Sequence, residues 1–336
     1  MELYFARFHA ADETQAALTF MHPASTRANV ALHTPVIQTM PVLSGMKLVG
    51  FPLYVQGRIH SPIMRPAIHN ASVRPAAVAG QFYPADPVEL RDAVSRLMRE
   101  APVVELPAQP LALIVPHAGY IYSGPVAAAA YATISTRRNS IRRVVVIGPS
   151  HRVLLRGIAV AQSDAFATPL GRVAIDRDGR SALLARGDAI AADAPHALEH
   201  CLEVQLPFLQ TLLEDFTLLP LVVGAATPQQ VGAVLAAAWG GEETLVLISS
   251  DLSHYHPYAR AQEIDRRTSE SILRYATNLS GEQACGAACI NGLLHMAKPR
   301  GLAVTEMMRI NSGDTAGDRD RVVGYGAFAI HGIQPQ

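Results

Sequence analysis

Three runs of apolar residues constrain the fold more than any other feature of this chain, because each ends in a turn that carries a histidine. The runs are LALIV at 111–115, RRVVVIG at 142–148 and TLVLISS at 244–250. Continuous apolar strands that alternate with helical segments are typical of a parallel sheet covered by helices on both faces. The sequence therefore predicts an α/β fold, a single domain whose largely parallel central sheet is flanked by helices.

The other periodic segments agree with this architecture. A helix is expected to run from Asp86 to about Glu100, since Asp86 suits the N-cap and Pro87 the first helical position. The segments 157–163 and 171–176 are expected to pair as antiparallel strands. Further elements are predicted as helices at 124–134, 203–213, 227–239, 258–276 and 283–298, and as strands at 216–224 and 322–330.

Residues 1–63 differ from the rest of the chain because they show neither strand nor helix periodicity and carry few charges. Met64 provides a natural start for the organised sequence that follows it. We therefore predict one α/β domain at 64–336, preceded at 1–63 by a disordered tail or a misassigned upstream extension.

The charge balance and the cysteine count limit the binding partners and the cellular compartment that are expected for this chain. The chain has 28 basic and 28 acidic side chains, so no net charge attracts nucleic acid or an anionic membrane. No apolar stretch reaches the roughly 18 residues that a membrane-spanning helix needs. The three cysteines are too few for a disulfide framework, which favours reduced thiols. These features predict a cytoplasmic protein that binds neither nucleic acid nor membrane.

Polar residues follow each of the three strands at the point where it ends. His117 lies in PHAGY, His151 in PSH, and Asp251 and His254 in DLSH. Because the carboxyl ends of parallel strands meet at one edge of a sheet, these side chains are expected to share a pocket. One such histidine is more often a structural residue, but three on one edge favour a metal site. Neutral imidazoles suit iron, zinc, copper or nickel, and a carboxylate or a thiolate would complete the ligand set.

A serine hydrolase is the competing interpretation, because Ser150 sits in the sharp turn after the second strand. The nucleophile-elbow pattern G-x-S-x-G is not met, since Arg152 stands where the second glycine belongs. Asp251 and His254 would complete a catalytic triad only by coincidence of folding. The sequence also lacks the glycine motifs that bind phosphate.

Seven motifs, taken in order, resemble a known family. They are VAGQFYPAD, VPHAGYIYSG, IGPSH, EHCLEVQLPFLQ, ISSDLSHY, ACG followed by LL, and NSGDTAGDRDRVVGYGAFA. Over about 73–331 the chain resembles the Memo family, whose bacterial members are labelled AmmeMemoRadiSam system protein B. The resemblance implies a fold similar to that of class III non-haem iron extradiol dioxygenases, the enzymes of the protocatechuate type that cleave aromatic rings.

The resemblance also implies roles for the residues that match the family's motifs. The implied metal ligands are His117, His151 and Cys285. His254 would be the general acid and base, Asp251 would orient a histidine or a bound water, and His200 would line the pocket. His200 and Glu203 match the pattern EHSLEVQLP, in which Cys201 here replaces the usual serine.

The implied chemistry is that of a metal-dependent oxidoreductase, similar to a dioxygenase. Those dioxygenases hold Fe(II) through two histidines and a carboxylate, whereas this family places Cys285 at the third position. A second ligand set, His117, His151 and Asp251, therefore stays open. Fe(II) is the expected ion, with copper or zinc as alternatives that suit a thiolate. The expected partners are a small, aromatic substrate and, in a shared pathway, a radical-SAM enzyme and an AMMECR-type protein.

Two other classes of function stay open. One is a non-catalytic adaptor that binds a ligand or a peptide in a vestigial pocket, since eukaryotic relatives are described as signalling mediators. The other is metal storage or redox sensing through the oxidisable Cys285. The full set of polar strand ends argues against an adaptor, which has no chemical need to keep them.

Overall fold

A mixed sheet of nine strands forms the centre of the structure, and its four middle strands run parallel. The computed structural model describes residues 72–333, so the prediction for 1–63 lies outside the described residues. The described residues all belong to one compact unit, Pro66–Gln336. Among them, no helix is both long enough and apolar enough to cross a bilayer.

The elements within residues 72–333 follow in chain order. The strands are β1 (Val73–Arg74), β2 (Pro110–Val115), β3 (Arg143–Pro149), β4 (Ile158–Val160), β5 (Ala165–Thr168), β6 (Gly171–Ala174), β7 (Ile190–Ala191), β8 (Thr217–Val223), β9 (Thr244–Ser249), β10 (His254–His256), β11 (Ala303–Asn311) and β12 (Val322–His331). The helices are α1 (Pro87–Glu100), α2 (Tyr120–Ala132), α3 (Arg177–Arg186), α4 (Ala194–Ala197), α5 (Leu206–Leu212), α6 (Pro228–Ala238), α7 (Tyr258–Leu273) and α8 (Ala287–Ala297).

The order of the main sheet is β10-β12-β2-β9-β3-β8-β4-β7, and β11 also pairs with β12. The predicted α/β fold is confirmed, with β2, β9, β3 and β8 as parallel neighbours. The outer pairs β12–β2, β11–β12 and β4–β8 are antiparallel. Strand β12 runs antiparallel to β11, and residues 312–321 join the two directly, whereas parallel neighbours need a crossover.

The predicted antiparallel pairing of 157–163 with 171–176 is wrong. Strand β6 pairs instead with β5, and the two form a hairpin in a small separate sheet with β1. Strand β4 joins the main sheet against β8. Both β4 and β5 are short and mostly apolar, so the alternation pattern could not decide which strand belongs to the hairpin.

The middle strands point alternate residues into two cores, one on each face of the sheet. In β3, Val144 and Val146 belong to one core, and Val145 and Ile147 to the other. Helices α1, α2 and α5 cover the first core, and α3, α6 and α8 cover the second. Each fully buried side chain of this size contributes about 1.5–3 kcal/mol. Burial on both faces therefore explains why these strands are apolar throughout.

A buried ion pair fastens the start of the described chain to the loop at 198–203, which follows α4. The Arg74 guanidinium pairs with the Glu203 carboxylate, and both side chains are almost wholly buried. Arg74 Nε also donates to the carbonyl of His196 at 2.8 Å. The Glu203 carboxylate accepts further hydrogen bonds from the backbone of Ala77 and Val78, at 2.7 and 3.0 Å. The charges are thus well paired, and the conformation of the loop depends on this Arg74–Glu203 pair, which we call the clamp.

Replacing Glu203 with Gln should lower the free energy of unfolding by about 3–5 kcal/mol, because the buried Arg74 charge would lose its partner. Chemical denaturation at neutral pH measures the change. The control is Glu263→Gln, which removes an exposed ion-pair partner of Arg266 and Arg267 and should leave the midpoint nearly unchanged. Equal losses in the two variants would contradict the clamp.

His196 should make the fold sensitive to acid. Burial lowers its pKa to about 4 in the folded chain, against about 6.5 when unfolded. The unfolded chain therefore takes up the proton first, so stability is complete above about pH 6.5 and falls toward pH 4, by about 3 kcal/mol. His196→Leu should abolish the part of the acid-induced loss of stability that His196 causes. Denaturation curves between about pH 7.5 and pH 4 test this, and parallel pH profiles of the wild type and the variant would refute it.

Candidate metal centre

The parallel strands bring three predicted site residues to one edge of the sheet. His117 lies two positions after the last residue of β2, His151 two after that of β3, and Asp251 two after that of β9. Strand β9 lies between β2 and β3, and Val115 of β2 stands level with Ser249 of β9. The three turns therefore emerge side by side.

Three imidazoles and a thiol meet at this edge. The ring centroids of His117 and His151 are 5.1 Å apart, and that of His200 lies 5.3 Å from His117 and 4.7 Å from His151. One ligand atom from each of these histidines lies within 4.8 Å of the other two. Cys285 Sγ is 3.2 Å from His117 Nε2. The structure thus places Cys285 beside His117, but the three donors that lie close to one another are His117, His151 and His200 rather than the predicted set with Cys285.

The His117 ring is oriented by a chain of hydrogen bonds beneath it. Its Nδ1 lies 2.9 Å from Ser249 Oγ, which itself donates to the carbonyl of Cys201 at 2.6 Å. Gln205 Nε2 donates to the same hydroxyl at 2.9 Å. Because the single hydroxyl proton is already used, His117 Nδ1 must carry a proton and donate it to Ser249. The lone pair is therefore on Nε2, which faces Cys285.

Glu199 orients His151 in the same way. The His151 Nδ1 lies 2.9 Å from Glu199 Oε1, and the backbone N–H of His151 donates to Oε2 at 2.7 Å. The backbone N–H groups of His200 and Cys201 also donate to Oε1. Burial alone would raise the pKa of Glu199, but these hydrogen bonds and the nearby imidazoles hold it below its usual range. Such outer partners fix the tautomer of a metal-binding histidine.

Asp251 supports the turn that carries His117. Its Oδ1 accepts the backbone N–H of His117 at 2.7 Å, and its own N–H points to Cys285 Sγ at 3.3 Å. Asp251 Oδ2 is 4.0 Å from His117 Nε2. Burial raises the pKa of Asp251, and the charge of His254 opposes this rise. Asp251 therefore positions two of the predicted ligands, with one oxygen still near the centre.

Two glycines allow the surrounding segments to approach closely. Gly286 follows Cys285 and is the N-cap of α8, and a side chain there would bring its Cβ within 2.6 Å of Ser250 Cβ. A Cβ on Gly148, at the end of β3, would lie 2.7 Å from Cys201 Sγ. Since neither contact leaves room for a larger residue, both positions require glycine.

His254 lies on β10, next to the same edge of the sheet. It is half-buried, and its ring packs against Tyr255 with centroids 5.7 Å apart. Tyr255 adopts a left-handed backbone conformation with φ of 61°, which is uncommon for a residue other than glycine. Such conformations are concentrated at functional sites. His254 follows Asp251 by three residues and therefore lies next to one of the turns that form the centre.

Ser150 does not have the environment of a nucleophile. Its hydroxyl donates to the carbonyl of Val153 at 2.6 Å, within its own loop. An activated serine would instead donate to a histidine base. The geometry therefore gives no support to the hydrolase interpretation, and Ser150 serves to shape the turn that carries His151.

Three residues of the centre are not predicted by the sequence patterns, namely Glu199, Ser249 and Gln205. A signal was available for Glu199, because it stands beside His200 in a segment that is otherwise mostly apolar. Ser249 and Gln205 carry no such signal, since their roles depend on contacts between distant parts of the chain.

The donor atoms of the centre fit a divalent ion. Burial lowers the pKa of His117 well below its usual value and that of His200 to about 2, so both imidazoles are neutral. Burial and the Asp251 charge raise the pKa of Cys285. The thiol therefore keeps its proton, shared with His117 Nε2, until a cation displaces it. Imidazole nitrogen and thiolate sulfur together suit iron, copper or zinc.

Replacing Ser249 with Ala should weaken Zn(II) binding by about 10–100-fold, because the His117 ring would lose the partner that fixes its tautomer. Competition with a chromophoric chelator measures the affinity. Ser163→Ala is the control, since Ser163 is also buried but its Oγ has no hydrogen-bond partner. Unchanged Zn(II) affinity in Ser249→Ala would show that this hydroxyl does not fix the tautomer of His117 for binding.

A solved structure with a weak similarity is the crystal structure of uncharacterized protein JW3007 from Escherichia coli K12. It is 13% identical, with a TM-score of 0.43 over 65% of this chain and 98% of that chain. A similarity at this level does not bear on fold or function.

Sequence comparison is more informative. A family model described as Memo-like protein matches residues 74–329. A MEMO1 family protein of Methanosarcina mazei is 35% identical over 275 residues, which cover 77% of this chain and 99% of that protein. A relative of the same description from Aquifex aeolicus is 36% identical over 267 residues, covering 75% and 97%. The chain belongs to the Memo-like family.

Proposed function

We propose that this chain is a metal-dependent oxidoreductase, similar to a dioxygenase, whose divalent ion is held by His117, His151 and Cys285. The observation that carries the proposal is that hydrogen bonds fix the ring orientation and the tautomer of His117 and His151. In each, Nδ1 is tied to a buried acceptor, Ser249 or Glu199, so that Nε2 carries the lone pair that can bind an ion. A structural histidine has no need for this arrangement, whereas a metal ligand does.

Fe(II) is the ion that we propose, with copper or zinc as alternatives. Two histidines and one anionic ligand leave open positions for a substrate, as in non-haem iron oxygenases. When bound, iron supplies Lewis-acid and redox chemistry that the side chains lack. Here the anionic ligand is the thiolate of Cys285, with Asp251 Oδ2 close enough to His117 to be considered as a replacement.

The other pocket residues have roles that the chain itself can perform. His254 would take a proton from a substrate hydroxyl and return it later, which imidazole does well near neutral pH. Asp251 would hold the His117 turn and Cys285 in place through its two hydrogen bonds. His200 contacts the ring of Phe82, with centroids 4.7 Å apart, and would form part of the pocket wall.

The substrate that we propose is a small aromatic diol. In extradiol cleavage, both atoms of dioxygen enter the product and the ring C–C bond beside the diol breaks. The substrate provides the electrons, so no further reductant is required. A radical-SAM enzyme and an AMMECR-type protein are the proposed pathway partners, in the cytoplasm.

Protein purified without oxygen should contain stoichiometric iron and consume oxygen with at least one member of a catechol panel. His117→Ala should lose both the iron and the oxygen uptake, since His117 lies next to every other donor. His295→Ala, at an exposed position outside the centre, should retain both. Metal analysis and an oxygen electrode make the measurements.

The alternatives give different results in the same experiment. Bound metal with no turnover on any catechol would favour storage or redox sensing through Cys285. A wild-type protein that holds no metal and binds peptides would overturn the proposed function in favour of an adaptor.

A further inference from the structure

We propose that His200 is a third imidazole ligand, so that an ion shared by His117 and His151 is completed either by His200 or by Cys285. This inference rests on the metal centre of the proposed function. It moves His200 from the wall of the pocket into the ligand set.

The positions of the three imidazoles support this assignment. One ligand atom from each of His117, His151 and His200 lies within 4.8 Å of the other two. Three nitrogens bound to one ion are about 3.4–3.6 Å apart, because each metal–nitrogen bond is about 2.1 Å and the angles between the bonds are about 109–120°. A closure of at most about 1.4 Å between the ligand atoms would therefore bring all three onto one ion.

His200 has a ring nitrogen that the fold leaves unused. Its Nδ1 is buried and has no hydrogen-bond partner. The nearest acceptor, Glu199 Oε1, is 3.3 Å away but already receives His151 Nδ1 and the backbone N–H groups of His200 and Cys201. Buried polar nitrogens are rarely left in this state. Metal binding would use Nδ1 directly, or would fix it as an N–H directed at Glu199 when the other nitrogen binds.

The surroundings of His200 restrict its ring. The ring stacks on His151 at an angle of 28° and contacts Phe82, which is itself tied to the start of α2 through the N–H of Tyr120. The backbone N–H of His200 is held by Glu199 at 2.9 Å. A side chain restrained on two sides and beside two other donors is already arranged for binding.

The two candidates for the third ligand differ in chemistry. Cys285 lies next to His117 and offers a soft thiolate, which favours Cu(I) and zinc. His200 lies next to His151 and offers a neutral imidazole. If Cys285 is removed or oxidised, His200 would still leave a complete set of three imidazoles for the ion.

Cobalt(II) binding to the full chain tests the ligand sets separately. Cys285→Ser should lose the sulfur-to-cobalt charge-transfer band but keep cobalt binding. Adding His200→Ala to Cys285→Ser should then weaken binding by more than about a hundredfold, beyond the loss typical of an outer-sphere partner. His295→Ala serves as the control, and thermal midpoints establish that each variant is folded.

A second measurement uses the wild-type protein, so that it does not depend on the folding of a variant. Binding of diamagnetic Zn(II) should change the ¹⁵N chemical shift of one ring nitrogen in His200, as in His117 and His151. The nitrogens of His196 should not change. To expose the three-imidazole mode, the same titration is repeated with Cys285→Ser.

The outcomes separate this inference from the proposed function. If the wild type binds metal and His117→Ala does not, but the double variant binds as well as Cys285→Ser and the His200 nitrogens stay unchanged, His200 is not a ligand and the metal centre stands. If the wild type binds neither cobalt nor zinc, both proposals fail. Loss of binding in the double variant, with shifted His200 nitrogens, supports the three-imidazole set.

Discussion

The buried Glu199 carboxylate makes the hydrogen bonds on which the geometry of the candidate metal centre depends. It accepts hydrogen bonds from the ring Nδ1 and the backbone N–H of His151, and from the backbone N–H groups of His200 and Cys201. A buried carboxylate without such donors would be costly, so the turn after β3 and the loop at 198–203 must stay together. His151 and His200 consequently keep a fixed relation to one another, even though they belong to different parts of the chain.

The same loop is held a second time by Glu203, through Arg74 and the backbone that follows it. Gln205, two residues further on, reaches Ser249 and so connects the loop to β9 and to His117. The loop therefore joins the start of the described chain to the ends of two parallel strands. The sheet supplies the common edge, but this loop sets the orientation of the rings above it.

The sequence patterns predict the parts of this arrangement that depend on local chemistry. Apolar runs locate β2, β3, β8 and β9, and parallel pairing then places His117, His151 and Asp251 on one edge. The hairpin of β5 and β6 and the role of Ser249 as an acceptor could not be predicted, because each depends on which distant segment of the chain packs against it. The long strand β11 was not predicted either, since most of its residues are only partly buried and no clear alternation marks it.

Cys285 is what separates this centre from one with a carboxylate in the third position. It lies just before α8, where the helix N-terminus favours an anion. Burial and the Asp251 charge act in the opposite direction and raise its pKa. Without a cation the sulfur is therefore a neutral thiol beside His117 Nε2, and a bound ion would release its proton. Because the thiolate is also the form that oxidants attack, metal binding and redox sensitivity of Cys285 would be coupled in the proposed centre. A carboxylate would bind the same ion without that coupling, so the thiolate gives this centre a chemistry that the fold alone does not specify.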